Sequence, residues 1–153
     1  MIVYRLAKTV YSHDLSGKGA QKAGGRWNSR GVAMVYTSES RALCTAEIAV
    51  HTPLGILPDD YQLIIIEIPD HIKIFKILPQ NLAPEWKSIP HSGKTQELGD
   101  AFIKEGRDVV MKAPSAVVPG DSNYLINTDH PDAKMIQIVK VEPFTFDQRM
   151  FLK

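Results

Sequence analysis

Two charged side chains carry the chemical interest of this sequence. Arg26 lies in GGRWNSRG, residues 24–31, directly behind two glycines and directly before a tryptophan. A guanidinium on a glycine-flanked loop offers an anion a planar fork of N–H donors together with accessible backbone N–H groups, the means by which phosphate and pyrophosphate are held. The plainer alternative is an exposed loop arginine beside Trp27, with the indole anchoring the loop in the core. Glu47 is the second. It falls on the face of a predicted helix that also carries Leu43, Ala46 and Val50, so it points inward. A buried carboxylate needs a partner, a raised pKa or a wet cleft. It is therefore either half of a structural ion pair or a functional group on a pocket wall.

Other residues add less on their own. Tyr36 belongs to a predicted strand and reads first as a packing aromatic. Ser115 opens SAVVP after Pro114, and Ser122 and Asn123 lie in PGDSN, where they read as turn formers. The five histidines show neither HExxH nor paired spacing with cysteine, so a metal site is not expected. Neither a GxSxG elbow nor a glycine-rich nucleotide loop after a strand is present. Cys44 is the single cysteine and reads as an inert buried thiol.

The elements that must position these groups follow from local pattern. IVYRLA near the start reads as a strand. The glycine-rich stretch from His13 to Gly31 has few apolar residues and reads as a loop. Val32–Thr37 reads as the strand that leaves it. Residues 38–51 form the best helix, capped by Ser38 or Ser40 and closed by Pro53 and Gly55. YQLIIIEIP (61–69) predicts a central strand and HIKIFKIL (71–78) a second. Pro79–Gly93 reads as an irregular connection containing Trp86. A helix over Lys94–Glu105 follows, with Leu98, Ala101, Phe102 and Glu105 on its apolar face. Four short strand-like runs end the chain: VVM, SAVV, YLI and MIQIVKV. This order lacks a βαβ rhythm and predicts one mixed α+β domain over 1–153 with a β-rich core.

Composition narrows the class. With 153 residues, 44% hydrophobic and 23% charged, the chain fits one globular domain that needs neither disulfides nor a structural metal. A net charge of +1 gives no mean field toward nucleic acid or anionic membranes. The longest apolar run, Leu63–Ile66, is far shorter than the ~20 residues of a membrane helix, and the N-terminus lacks a signal-peptide layout. A cytoplasmic protein with no membrane partner is the expectation.

In combination these residues say more. GGRWN, then VYTSES, then the helix bearing Ala46–Glu47, then APSAVVPGDSNYLIN and His130–Pro131 resemble, in sequence and order, the RES-domain family. That family is named for an arginine, a glutamate and a serine. The resemblance runs from about Tyr4 to Val141. It implies an ADP-ribosyltransferase-like fold and the role of toxin in a bacterial toxin–antitoxin pair. The implied partner is an Xre-like helix-turn-helix antitoxin, through which alone DNA would be met. A toxin homodimer within a hetero-oligomer fits the habit of the family.

The resemblance also assigns residues. Arg26, Tyr36 and Glu47 match its arginine, tyrosine and glutamate, and Ser115 its serine, with Ser122 the competing choice. Asn123, in the same motif segment, joins Arg26, Tyr36 and Ser115 in the substrate-binding set. The implied substrate is NAD⁺, with no cofactor or metal. Glu47 would stabilise the oxocarbenium-like ribose as nicotinamide departs, and Arg26 would grip the pyrophosphate. Tyr36 would stack on or shape the nicotinamide pocket, and Ser115 would orient ribose or amide. Water as acceptor makes a glycohydrolase, phosphate a phosphorylase, and a protein side chain an ADP-ribosyltransferase. A competing reading is a non-catalytic nucleic-acid-binding module using Lys18, Lys22, Arg26 and Arg30 beside Trp27.

Overall fold

A computed structural model describes residues 1–152. The β-rich patterning resolves into one seven-stranded sheet. Its strands are β1 (Ile2–Lys8), β2 (Val35–Ser38), β3 (Tyr61–Glu67), β4 (Ile74–Lys76), β5 (Val110–Pro114), β6 (Ser122–Ile126) and β7 (Gln137–Phe144). They lie in the order β4-β5-β6-β2-β1-β3-β7. Only β4 and β5 pair in parallel, so the sheet is mixed. The helices are α1 (Lys18–Ala23), α2 (Arg41–His51) and α3 (Lys94–Glu105). The α+β reading of the sequence holds.

Side-chain parity shows where the helices sit. Val3, Ile64, Ile66, Val110 and Ile126 form one apolar cluster on one face of the sheet. Their alternates point the other way and divide between two clusters. Met111, Ala113 and Leu125 join Trp27, Trp86 and Phe102 of α3. Leu6, Leu63 and Ile65 join Cys44 of α2, with Ile48 and Ala49 packed alongside. Both α2 and α3 therefore cover the same face. The seam between them runs over β2 and β6.

Local chemistry explains the helix ends. Ser40 is the N-cap of α2 and its hydroxyl accepts from Leu43 N–H at 3.0 Å. Beyond His51 the chain turns extended at Thr52, whose hydroxyl donates to Ile48 C=O at 2.7 Å. Gly106 ends α3 in the left-handed region, with φ 60°, a conformation that costs glycine least.

Several expectations are corrected. The stretch 13–31 contains α1, a short helix with no buried residue, which left no apolar periodicity to detect. Strand β2 begins at Val35 rather than Val32. Val50 is 58% exposed, and α2 buries Leu43 and Cys44 instead. The buried face of α3 is Thr95, Gly99 and Phe102, with Leu98 exposed, because this helix lies backbone-close on the Trp27 loop. Strand β3 lies next to the sheet edge rather than centrally; burial on both faces mimics a central strand. SAVV is a turn, not a strand, since the Ser115 hydroxyl accepts from Val117 and Val118 N–H, each at 3.0 Å. No helix among the described residues is long and apolar enough to cross a membrane.

Candidate active site

The arginine loop is a tight turn. Gly25 N–H donates to Asn28 C=O at 2.9 Å, which leaves Arg26 and Trp27 at the tip. Trp27 is 2% exposed and its ring lies 6.3 Å from that of Trp86, so it anchors the turn in the core. Asn28 is wholly buried and acts as the hub: its Nδ2 donates to Ala20 C=O at 2.8 Å and Val32 C=O at 2.9 Å. Its Oδ1 accepts from the Tyr36 hydroxyl at 2.6 Å, and that hydroxyl accepts from Trp27 N–H at 3.0 Å. A Cβ at residue 25 would stand 2.6 Å from the Tyr36 oxygen, so this position requires glycine.

Helix α3 supports the turn from the other side. Gln96 Nε2 donates to Gly25 C=O at 2.9 Å and Asn28 C=O at 3.2 Å. The Asp100 carboxylate accepts from Ser29 N–H at 2.9 Å and from its hydroxyl at 2.6 Å. At Gly99 the helix backbone touches the turn so closely that an added Cβ would come within 1.6 Å of the Trp27 carbonyl oxygen. The Arg26 guanidinium is half-buried, and its Nη1 donates to Trp86 C=O at 2.7 Å and Ser88 C=O at 3.2 Å. Its Nε and Nη2 have no hydrogen-bond partner among the described residues.

Glu47 projects from α2 into the seam. Its Oε1 accepts from Asn123 Nδ2 at 3.0 Å and, more weakly, from the Ser115 hydroxyl at 3.4 Å. Ser115 is 2% exposed; with both turn N–H groups already donating to its oxygen, its own hydrogen is directed to the carboxylate. The Asn123 carbonyl oxygen accepts from Ser38 Oγ at 3.1 Å, which fixes the amide orientation. Glu47 Oε2 accepts from no group among the described residues. Burial lowers the Arg26 pKa, against the opposing charges of Glu47 and Tyr36.

The structure thus places the five predicted residues in two groups. Glu47, Ser115 and Asn123 bond directly, whereas Tyr36 braces the turn that carries Arg26, through Trp27 N–H and the Asn28 side chain. Between the two serines the geometry favours Ser115. Ser122 is tied through its main chain to Glu39, with its N–H donating to Glu39 Oε1 at 2.9 Å. Asn123 is a strand residue of β6, not a turn residue. The Tyr36 hydroxyl is committed to the turn, which makes its first task positional. Cys44 is buried, and desolvation pushes its thiol up to about 11.

Sequence reasoning overlooked Asn28, Gln96 and Ser38. Asn28 was within reach as the last residue of GGRWN; nothing local marks Gln96. A shallow depression of about 450 Å³ lies elsewhere, lined by His13 and by Ile138, Val139, Lys140 and Val141. It contains none of the site residues.

One mixed sheet with two helices on one face is a fold already seen in a toxin–antitoxin assembly. A chain of the M. tuberculosis MbcT–MbcA toxin–antitoxin complex superposes with a TM-score of 0.75, over 94% of this chain and 84% of that one, at 21% identity. The chain belongs to the RES domain family, whose pattern spans residues 2–147. It is similar to a Prs ADP-ribosylating toxin of Sphingobium sp. (strain YBL2), 40% identical over 96% of this chain and 92% of that protein. It also resembles a Toxin Res of Pseudomonas putida, 37% identical over 99% of this chain and 100% of the relative.

Proposed function

We propose that this chain is the toxin of a toxin–antitoxin pair and that it degrades NAD⁺ by breaking the nicotinamide–ribose bond. The observation that carries this reading is the Glu47 carboxylate: Oε1 is held by Asn123 and Ser115 while Oε2 is open. Held in this way, the carboxylate needs little reorganisation to stabilise positive charge developing on the ribose or to orient a ribose hydroxyl. The C1′–N bond breaks heterolytically, and the electron pair leaves with nicotinamide, which departs neutral from a cationic ring. Because that leaving group is already activated, the step asks nothing of a metal. Arg26 Nε and Nη2 hold the pyrophosphate, and Ser115 and Asn123 keep the carboxylate oriented.

Water adding to the oxocarbenium face gives ADP-ribose and a proton; inorganic phosphate gives the phosphorylated product. A second reading, transfer of ADP-ribose to a protein side chain, draws support from the name of the Sphingobium relative. The nucleic-acid reading loses ground, because Arg26 spends Nη1 on backbone carbonyls instead of joining Lys18, Lys22 and Arg30 as a free basic stripe. The names of the relatives and the M. tuberculosis complex support a cognate antitoxin, for which an Xre-like protein covering the Arg26 mouth is the proposed form. Purified protein incubated with NAD⁺ in water, then with phosphate, then with cell extract, should release nicotinamide in water if water is the acceptor and once phosphate is added if phosphate is. Mass analysis of the products identifies the acceptor. NAD⁺ left intact in water and phosphate but consumed with extract would favour protein modification; NAD⁺ intact throughout would overturn the enzymatic reading.

A further inference from the structure

Between β4 and α3 the chain runs through an irregular segment, residues 83–93. Its ends and centre are fastened. Trp86 N–H donates to Ala83 C=O at 3.0 Å, Ser88 N–H to Glu85 C=O at 2.9 Å, and Ser88 Oγ to Pro90 C=O at 3.0 Å. Glu85 pairs with Lys94 at 3.0 Å. The Trp86 indole is 8% exposed and belongs to the cluster of Trp27, Phe102 and Met111, whereas Ile89 is 91% exposed. The segment is therefore a strap, pinned by one large side chain and otherwise on the surface.

Arg26 meets this strap through Nη1, whose two hydrogens are both taken by the carbonyls of residues 86 and 88. Two fixed acceptors on one nitrogen set the plane of the guanidinium and leave the Nε–Nη2 edge unused. That edge is the one that pairs bidentately with a phosphate oxygen pair.

We propose that Trp86 is a positioning residue for the anion site: its buried indole fixes the strap carbonyls, which turn the free edge of Arg26 toward the diphosphate of a dinucleotide. This rests on the NAD⁺ reading for the identity of the ligand, but not for the geometry. It accounts for an arginine at this position, because a lysine ammonium has no second edge with which to serve strap and ligand together.

The test uses Trp86→Leu, Trp86→Phe and Arg26→Lys, with ADP-ribose and inorganic pyrophosphate as binding probes by calorimetry and NAD⁺ for kinetics. Trp86→Leu should weaken ADP-ribose binding and raise KM for NAD⁺ by about tenfold, while kcat changes by less than about threefold. Trp86→Phe, which keeps aromatic packing, should recover most of the loss, and Arg26→Lys should abolish detectable binding of both probes. A folded Trp86→Leu protein with wild-type affinity, or one in which only kcat falls, overturns the proposal. Where Trp86→Leu does not fold, Trp86→Phe decides: about twofold to threefold weaker binding is expected, and unchanged binding overturns it. A wild-type protein that binds ADP-ribose with this variant pattern but leaves NAD⁺ intact refutes the enzymatic reading alone. One that binds neither probe refutes the positioning proposal.

Discussion

Replacing Glu47 by glutamine removes a charge while keeping the shape of the side chain. The amide oxygen can accept from Asn123 and Ser115 as Oε1 does, so the bonds at 3.0 and 3.4 Å survive as neutral ones. The difference between a charge-assisted and a neutral hydrogen bond is about 1 kcal/mol. For a chain of this length that lowers Tm by roughly 2–4 °C. Activity should respond far more. A carboxylate about 4 Å from an oxocarbenium carbon contributes about 4 kcal/mol at an effective dielectric of about 20. Partial exposure at the seam reduces this, so about 3 kcal/mol, or ~10²-fold in rate, is the expected loss. Nicotinamide release, followed by mass or chromatography, measures the rate; circular dichroism during heating measures the fold. A glutamine variant with Tm within 5 °C of the wild type and a rate within about fivefold would refute the assignment of Glu47 to the transition state.

Tyr36→Phe separates positioning from stacking: removing the hydroxyl strands the buried Asn28 Oδ1 and Trp27 N–H, which should cost about 2–4 kcal/mol in urea unfolding and raise KM for NAD⁺. A silent phenylalanine variant would mean that only the ring matters. Gly99→Ala forces a methyl to within 1.6 Å of the Trp27 carbonyl and should destabilise by about 3 kcal/mol or more, whereas Gly19→Ala in α1, with nothing within 4 Å, should stabilise by up to about 1 kcal/mol; equal denaturation midpoints would contradict this reading of α3 packing. The Cys44 thiol, raised from 9.0 to about 11 by desolvation, should resist alkylation at pH 8 in the native state. Since the folded protein holds that proton more tightly, the associated stability is present below pH 9 and is lost as pH rises toward 11; rapid native-state alkylation at pH 8 would refute the burial.

Much of the scaffold is legible in adjacent residues. A serine cap, which the structure assigns to Ser40 rather than Ser38, the stop at Pro53 and Gly55, and helix α3 from Lys94 to Glu105 follow from capping, backbone and turn chemistry that act within a few positions. Arg26 and Glu47 are legible for a related reason, each residue type being costly or unusual in its own local context, whereas Ser115 stands out only through the family resemblance. What local pattern could not reveal is which faces those elements turn to one another. Gly99, not Leu98, carries the inner face of α3, because the partner is the backbone of the Trp27 turn rather than an apolar side chain.

Local pattern is enough to specify the α+β class, the capped helix that carries Glu47, and the glycine-flanked arginine. Tertiary structure alone decided what those groups do to each other. Ser115 reaches Glu47 across 68 positions, Asn123 reaches it across 76, and Arg26 reaches Trp86 across 60. Bonds at such separations depend on how seven strands are ordered and on two helices sharing one face of the sheet. That ordering is a cooperative outcome of burial over the whole chain, and no window of neighbouring residues encodes it.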